Sequence, residues 1–307
     1  MFLFFQSYLD SFDRDVIFTG VFRVWNIFAG ASLLIVIPFW LSKEEQGFFF
    51  LLYSILNMQV LFDLGLNQII LQRLSKHYED VKKLTSQDEV DNLSPFNVLL
   101  INARKWFKNI ALIYFIVCIT VLYFLIKDTN FGDINNLIIA LIFVFIAAIN
   151  VRLSLEFISL QAKQMVSAVS IFRLIQSAIA YTVFFALIFF VDIGLSAMLS
   201  IQLVTCVTSL FWLKNKRKSV ELISKNRINY FKEILPLQSK LAVTWAASFL
   251  VTQSLVTISF KTNGAVFSGR LGITLSAILS ITTLTVALFG AKLPAMANLI
   301  GKKSFEH

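Results

Sequence analysis

The sequence predicts an all-α, polytopic membrane protein. Three observations predict it. Roughly eight apolar stretches approach or exceed the ~20 residues that a helix needs to cross a bilayer. Hydrophobic residues make up 57% of the 307-residue chain, with 32 Phe, only four Pro and eleven Gly, and the mean hydropathy is +0.76; soluble domains are about 45–50% apolar. The gaps between stretches also alternate in charge. The gap after the second stretch carries Arg73, Lys76, Lys82, Lys83, Arg104, Lys105 and Lys108, and the gap after the sixth carries Lys214, Lys216, Arg217, Lys218, Lys225, Arg227 and Lys232. The odd gaps hold Lys43, then Lys127, then nothing basic around Asp192, then Lys261. This is the positive-inside pattern, and it predicts a bacterial inner-membrane protein with a cytoplasmic N-terminus. Membrane barrel strands would alternate apolar and polar residues, whereas runs such as 138–148 and 183–191 are continuously apolar.

The elements follow in order. Residues 1–15 form a short interfacial helix, with Phe2, Phe4, Phe5, Tyr8 and Phe12 at the headgroup boundary. Asp10, Asp13 and Asp15 stand where a cleaved signal peptide has basic residues, so the first span is retained. That span covers about 16–41, and 43–47 is a tight outer turn. The second covers about 47–72, and 75–105 is a long inner loop, partly helical. Spans three to six cover about 106–126, 134–155, 169–191 and 195–213. The seventh covers about 234–260, with Pro236 in its first turn, where proline is tolerated. The eighth covers about 265–290. A ninth apolar segment begins after Pro294 and stops within a few residues.

Three regions result: a six-helix transmembrane bundle over 1–213, a basic cytoplasmic linker over 214–233 and a partial second bundle over 234–307. The last two spans are rich in Ser, Thr, Gly and Ala, which allows close helix approach. The face Gly269, Gly272, Ser276, Ser280 and Thr283 fits such packing.

Composition excludes several functions. The net charge of +9 sits in the even loops, where it sets topology and meets anionic lipid, so no nucleic-acid partner is expected. Cys118 and Cys206 lie inside apolar stretches, and His77 and His307 lie far apart, so neither a metal site nor a disulfide is expected. No phosphate-cradling G-x-x-x-x-G-K-[ST] occurs, and no nucleophile–base set lies at membrane depth. The chain is expected not to be an enzyme and to need no cofactor.

The functional leads are polar groups inside spans, which are costly in lipid and face protein or a wet cavity. Arg23, with Asn26 three residues on, either reaches back to the inner interface or lines a cavity. Gln59, Asp63 and Asn67 recur at i, i+4 and i+8. Asp63 has three readings: a structural pair with Arg23, a coupling role, or a place at a helix break near Gly65. Arg152 and Glu156 are spaced as an interfacial ion pair. Arg173 marks the inner end of the fifth span or lines an inner vestibule. Lys240, Thr244, Ser248 and Thr252 form an i, i+4, i+8, i+12 stripe expected to face the interior, and Arg270 sits near the outer end of the eighth span. The cations Arg23, Arg173, Lys240 and Arg270 outnumber the buried carboxylate Asp63, which suits an anion such as a diphosphate.

Three stretches carry a family resemblance. Residues 46–68, from Gln46-Gly-Phe-Phe-Phe through Phe62-Asp-Leu-Gly-Leu-Asn-Gln, resemble the second-helix region of polysaccharide and O-antigen flippases of the multidrug/oligosaccharidyl-lipid/polysaccharide exporter superfamily, which has a MATE-like fold. Ile234-Leu-Pro-Leu-Gln-Ser-Lys-Leu-Ala-Val-Thr-Trp resembles the start of that family's seventh helix, and Gly264-Ala-Val-Phe-Ser-Gly-Arg-Leu-Gly-Ile-Thr-Leu the start of its eighth. Lys240 matches a position usually basic in this branch; Arg270 departs from a position more often Gln. The resemblance implies two six-helix bundles around a central cavity, of which this chain supplies the first bundle and the first two helices of the second. It implies a flippase for an undecaprenyl-diphosphate-linked oligosaccharide, working by alternating access. Its partners would be that lipid-linked substrate, membrane lipids and polysaccharide polymerase machinery. The alternatives are a cation-coupled multidrug antiporter of the same fold and a non-transporting, truncated membrane fragment.

Overall fold

The computed structural model describes residues 2–84, 95–127, 129–191, 194–216 and 230–282. Most of the basic linker, the far end of the eighth span, and the segment from Pro294 to His307 lie outside the described residues.

The described residues are predominantly α-helical and hold no strand, as predicted. α1 (Phe2–Trp40) is one helix of 39 residues, so the first fifteen residues continue into the first span instead of forming a separate helix. Its apolar part is Ile17–Trp40. The expected outer turn at 43–47 is instead the start of α2 (Lys43–Asn57). Ser42 explains the difference. Its Oγ accepts from the Glu45 backbone N–H at 3.2 Å while Glu45 Oε2 accepts from the Ser42 N–H at 2.9 Å, a reciprocal capping box.

The second span is broken. α2 gives way at Met58 to the short α3 (Gln59–Asp63), and α4 (Leu66–Leu84) follows. Between them Leu64 has φ 42° and Gly65 φ 81°, a left-handed pair that ends one helix and re-aims the next. The two halves, Lys43–Asp63 and Leu66–Tyr78, meet at 50°.

α5 (Pro95–Ile126) starts on proline, and α6 (Ile134–Ala162) runs a full turn and more past the predicted end. α7 (Val166–Ala186) widens into a π turn at Leu187–Val191. A 3-10 turn, Gly194–Ala197, leads into α8 (Met198–Lys216). After the linker come α9 (Tyr230–Glu233), α10 (Leu235–Thr252) and α11 (Ser254–Asn263), the last two forming one span interrupted at Gln253. α12 covers Ala265–Thr282. Among the described residues six helices are long and apolar enough to cross a bilayer, or seven if the bent pair is one span. α8, the sixth predicted span, has a shorter apolar part, Met198–Lys214.

Large apolar side chains point outward along these helices: Phe28 is 68% exposed, Phe39 78% and Phe190 87%. Such a surface belongs in lipid, and closed backbone ladders of helices are the structures that lipid admits. The protein is therefore a multi-pass, all-α membrane protein.

The interior divides along the bundle axis. One cluster, around Ile37, Phe48, Tyr114, Phe143, Phe184 and Phe260, packs α1, α2, α5, α6, α7 and α11 together. A second, around Leu66, Ile70, Leu99, Phe107, Leu155 and Ile234, sits toward the lysine- and arginine-bearing ends. Helices after the linker thus share a core with those before it. α2 and α12 approach each other closely at glycines. A Cβ built on Gly47 would lie 2.0 Å from the Ala265 carbonyl oxygen, and one on Gly272 would lie 2.4 Å from Phe50 Cγ. Only glycine lets these two backbones meet so closely.

Candidate functional site

Three cavities among the described residues sort the sequence-predicted residues. One, about 340 Å³, lies between α1, α4, α6 and α7. It brings Arg23, Asn67 and Arg173 together, with Thr19, Ser154, Gln161 and Ser170 supplying further polar atoms. Three of the four elements contribute from a similar depth. Arg23 is six residues into the apolar part of α1, Arg173 seven residues into α7, and Ser154 eight residues from the end of α6. At 1.5 Å per residue these are about 9–12 Å in from the basic end.

Polar contacts fix the two walls that carry the arginines. Asp15 Oδ1 accepts from Ser167 N–H at 2.8 Å, Thr19 Oγ1 and Ser170 Oγ lie 3.1 Å apart, and Trp25 Nε1 donates to Ser177 Oγ at 3.1 Å. These contacts run like rungs along α1 and α7. The Arg173 guanidinium lies 4.8 Å from the centre of the Phe157 ring, a cation–π contact. Phe157 in turn belongs to a stack with Phe172 and Trp212. No acidic side chain is among the residues lining this cavity. Arg23 is exposed and Arg173 half-buried, and among the described residues no carboxylate lines this cavity with them.

Asp63 lies next door. A cavity of about 70 Å³ is lined by Gln59, Val60, Asp63, Asn67, Phe107, Ile110, Val151 and Ser154. Asn67 and Ser154 are shared with the larger cavity. No Arg23–Asp63 ion pair forms among the described residues. Asp63 Oδ1 accepts from the Asn67 backbone N–H at 2.9 Å and caps the first turn of α4. The helix-break reading of Asp63 is the one this geometry matches.

Asn26 falls elsewhere. It lines a third cavity, about 240 Å³, between α1, α2, α10, α11 and α12. This one is mostly apolar with a polar band: Ser54 Oγ donates to the Gln253 carbonyl at 2.7 Å, and Asn57 Nδ2 donates to Gln253 Oε1 at 3.1 Å. The helix interruption at Gln253 frees that carbonyl. Ser54 and Asn57, which the sequence analysis does not single out, are ordinary polar residues in apolar runs and could be found that way.

The stripe on α10 is corrected. Lys240, Thr244 and Ser248 are exposed and line none of the three cavities; only Thr252 reaches one. The buried row of α10 is Gln238 and Phe249, and Lys240 sits about 200° round the helix from Gln238. Arg270 is likewise exposed and outside every cavity. The Arg152–Glu156 pair is also corrected. Glu156 is held bidentately by Arg104 of α5, at 2.9 and 3.0 Å, and Arg152 is exposed.

A further set of contacts joins α10 to the broken second span. Gln238 Nε2 donates to the Asp63 carbonyl at 3.0 Å, and Tyr230 donates its hydroxyl proton to Gln238 Oε1. Burial pushes the Tyr230 hydroxyl above the ordinary phenol range, and Gln238 pulls the other way, so it is a neutral donor. Arg73 reaches Glu233 through its carboxylate at 3.3 Å and its carbonyl at 2.8 Å. Among the described residues no group of three or more His, Cys, Asp or Glu could hold a metal ion.

No protein-family model, no curated protein and no solved structure matches the chain.

Proposed function

We propose that this chain is the membrane-embedded part of a transporter for an anionic, lipid-linked substrate, specifically an undecaprenyl-diphosphate-linked oligosaccharide moved between leaflets. The observation that carries the reading is the carboxylate-free cavity holding Arg23 and Arg173. Two guanidinium groups within membrane spans, Arg23 exposed and Arg173 half-buried, are costly in lipid unless a counter-charge or water meets them. A diphosphate supplies one, and guanidinium groups bind phosphate oxygens through paired N–H donors. The resemblance of residues 46–68, 234–245 and 264–275 to polysaccharide flippases supports the same class. The charge alternation supports an inner-membrane setting with the N-terminus in the cytoplasm, which puts the cationic cavity toward the cytoplasmic leaflet, where such substrates are made. Alternating access would then carry the headgroup outward, with polymerase machinery as the downstream partner.

A second reading, a cation-coupled drug antiporter, rests on Asp63 lining the small cavity beside Asn67. The neighbouring arginines oppose a cationic cargo.

The test is complementation of a flippase-deficient polysaccharide mutant. The chain should restore surface polymer, and Arg23→Gln and Arg173→Gln should each lower it by about tenfold or more, the scale of a lost charge-assisted hydrogen bond. Restoration that is indifferent to both substitutions would remove the anionic-substrate reading.

A further inference from the structure

We propose that the third cavity is the subsite for the sugar joined to the diphosphate, and that it selects an uncharged sugar over an acidic one. The inference rests on the anionic-substrate reading above. α1 connects the two cavities. Thr19, Phe22 and Arg23 of this helix line the arginine cavity, and the third cavity begins at Asn26 and reaches Ile37. At 100° per residue, the α1 residues that line either cavity fall within one arc of about 140°, and Asn26 stands about 4.5 Å along the axis from Arg23. A group joined to a phosphate at Arg23 therefore meets Asn26 first along this face.

Among the described residues no charged side chain lines the third cavity. Its polar groups are amides and hydroxyls. Asn57 Nδ2 donates to Gln253 Oε1 at 3.1 Å, and that bond leaves Asn57 Oδ1 as an acceptor and Gln253 Nε2 as a donor. Neither of these two atoms is among the described unpartnered polar atoms that are shut off from solvent, so both stay accessible in the cavity wall. Asn26 is exposed and adds another donor and another acceptor. A sugar hydroxyl donates and accepts at once, so it matches both kinds of atom. The Tyr53 ring, stacked on Phe49 with centres 6.1 Å apart, gives a flat apolar wall for the C–H face of a sugar. A prenyl or acyl chain would leave the free amide atoms against hydrocarbon, and a uronic acid would bring a carboxylate to a wall that holds no cation; both leave a polar or charged group unmet. The neutral sugar is the ligand that meets each of these groups.

The volume of about 240 Å³ is below the ~300–1,000 Å³ of pockets that enclose a drug-sized ligand. The cavity thus takes the first sugar and leaves the rest of the glycan outside. Its two amides are held in place across the bundle: Asn57 comes from the second span and Gln253 from the seventh, and Ser54 Oγ fixes the Gln253 backbone by donating to its carbonyl at 2.7 Å. Positions fixed in advance favour selectivity, because little ordering remains to be done when the ligand binds.

The test uses the whole chain in nanodiscs and calorimetric titration with three short-prenyl diphosphates: one joined to glucose, one joined to glucuronic acid and one capped with a methyl ester. The two sugars differ only in a hydroxymethyl group against a carboxylate. The glucosyl probe should bind about tenfold more tightly than the glucuronyl probe, the scale of one unmet buried group. The chain's net charge of +9 pulls the other way, so a preference for glucose reports the cavity. Gln253→Leu should weaken the glucosyl probe by about tenfold and leave the methyl-capped probe unchanged. Asn26→Lys, at an exposed helix position, should turn the preference toward the glucuronyl probe, and it keeps the test open if the leucine variant does not fold. Equal binding of the two sugar probes to the parent chain, equal weakening of the glucosyl and methyl-capped probes by Gln253→Leu, or an unchanged preference in Asn26→Lys would overturn the proposal. Arg173→Gln should weaken all three probes. If it moves none of them, the anionic-substrate reading fails and takes this inference with it; if it weakens all three while the parent chain binds them equally, only the sugar subsite falls.

Discussion

Asp63 and Asn67 hold each other across a helix break: the carboxylate Oδ1 of Asp63 accepts a hydrogen bond from the backbone N–H of Asn67 at 2.9 Å. This one contact sets the register of α4 relative to α3 and so decides where Asn67 stands. Asn67 is also a wall shared by the cationic cavity and the small cavity of Asp63. The residue that the sequence marks as the anomalous acid of the second span thereby positions the site without lining the arginine cavity.

Asp63→Ala should destabilise the protein by about 1 kcal/mol, the usual cost of a lost helix cap. Asp63→Asn keeps an acceptor and should retain most of that stability. Thermal unfolding of the purified protein in nanodiscs reads the difference. Equal loss in both variants would show that the carboxylate's charge, and not its capping bond, matters.

Gly65→Ala should destabilise by about 1–2 kcal/mol, because the new side chain would occupy a left-handed backbone at φ 81°. Its Cβ would also lie 3.0 Å from both Leu241 Cδ1 and Trp245 Nε1. Gly30→Ala is the control. Nothing lies within 4 Å of a Cβ there, and alanine favours helix over glycine by up to ~1 kcal/mol, so the variant should be neutral or slightly more stable.

Arg104→Met should cost about 1–3 kcal/mol, because it removes both guanidinium hydrogen bonds to the buried carboxylate of Glu156. The double variant Arg104→Met/Glu156→Leu should recover most of the loss, since no charge is then left buried. Expression level and unfolding temperature report both. A double variant no better than the single would mean that Glu156 serves a neighbour besides Arg104.

Lys240→Gln should leave transport within about twofold of the parent, a change within the ordinary range of surface substitutions. Arg173→Gln should fall well below it in the same complementation assay. The contrast separates membership of the cavity from mere presence of a cation in a span. Reversal of the order would place the functional face on α10.

Much of the fold was legible in the sequence. Apolar length and charge alternation identify the spans, because lipid admits only stretches long enough to cross it with every backbone group bonded internally. The same logic flagged Arg23, Asp63, Asn67 and Arg173, since polar groups stand out against apolar runs. Helix ends were less legible. The capping box at Ser42 was available as Ser-x-x-Glu, yet residues 43–47 read as a turn. The breaks at Leu64–Gly65 and Gln253 depend on what packs against them.

Which polar residues meet was a tertiary decision. Arg23 and Asn26 are three residues apart on one helix, yet line different cavities. Glu156 has Arg152 one turn away and takes Arg104, 52 positions distant in the chain, as its bidentate partner. The α10 stripe has regular helical spacing, but Gln238 reaching the Asp63 carbonyl and Phe249 turning into the core rotate it outward. Spacing along a helix fixes which residues share a face. Only packing against the other helices fixes what that face looks at, because it depends on every neighbour's shape and polarity at once. By itself, then, the sequence determined that this chain crosses a membrane as helices and carries uncompensated cations within it. The tertiary structure decided that two of those cations, Arg23 and Arg173, share one cavity with Asn67.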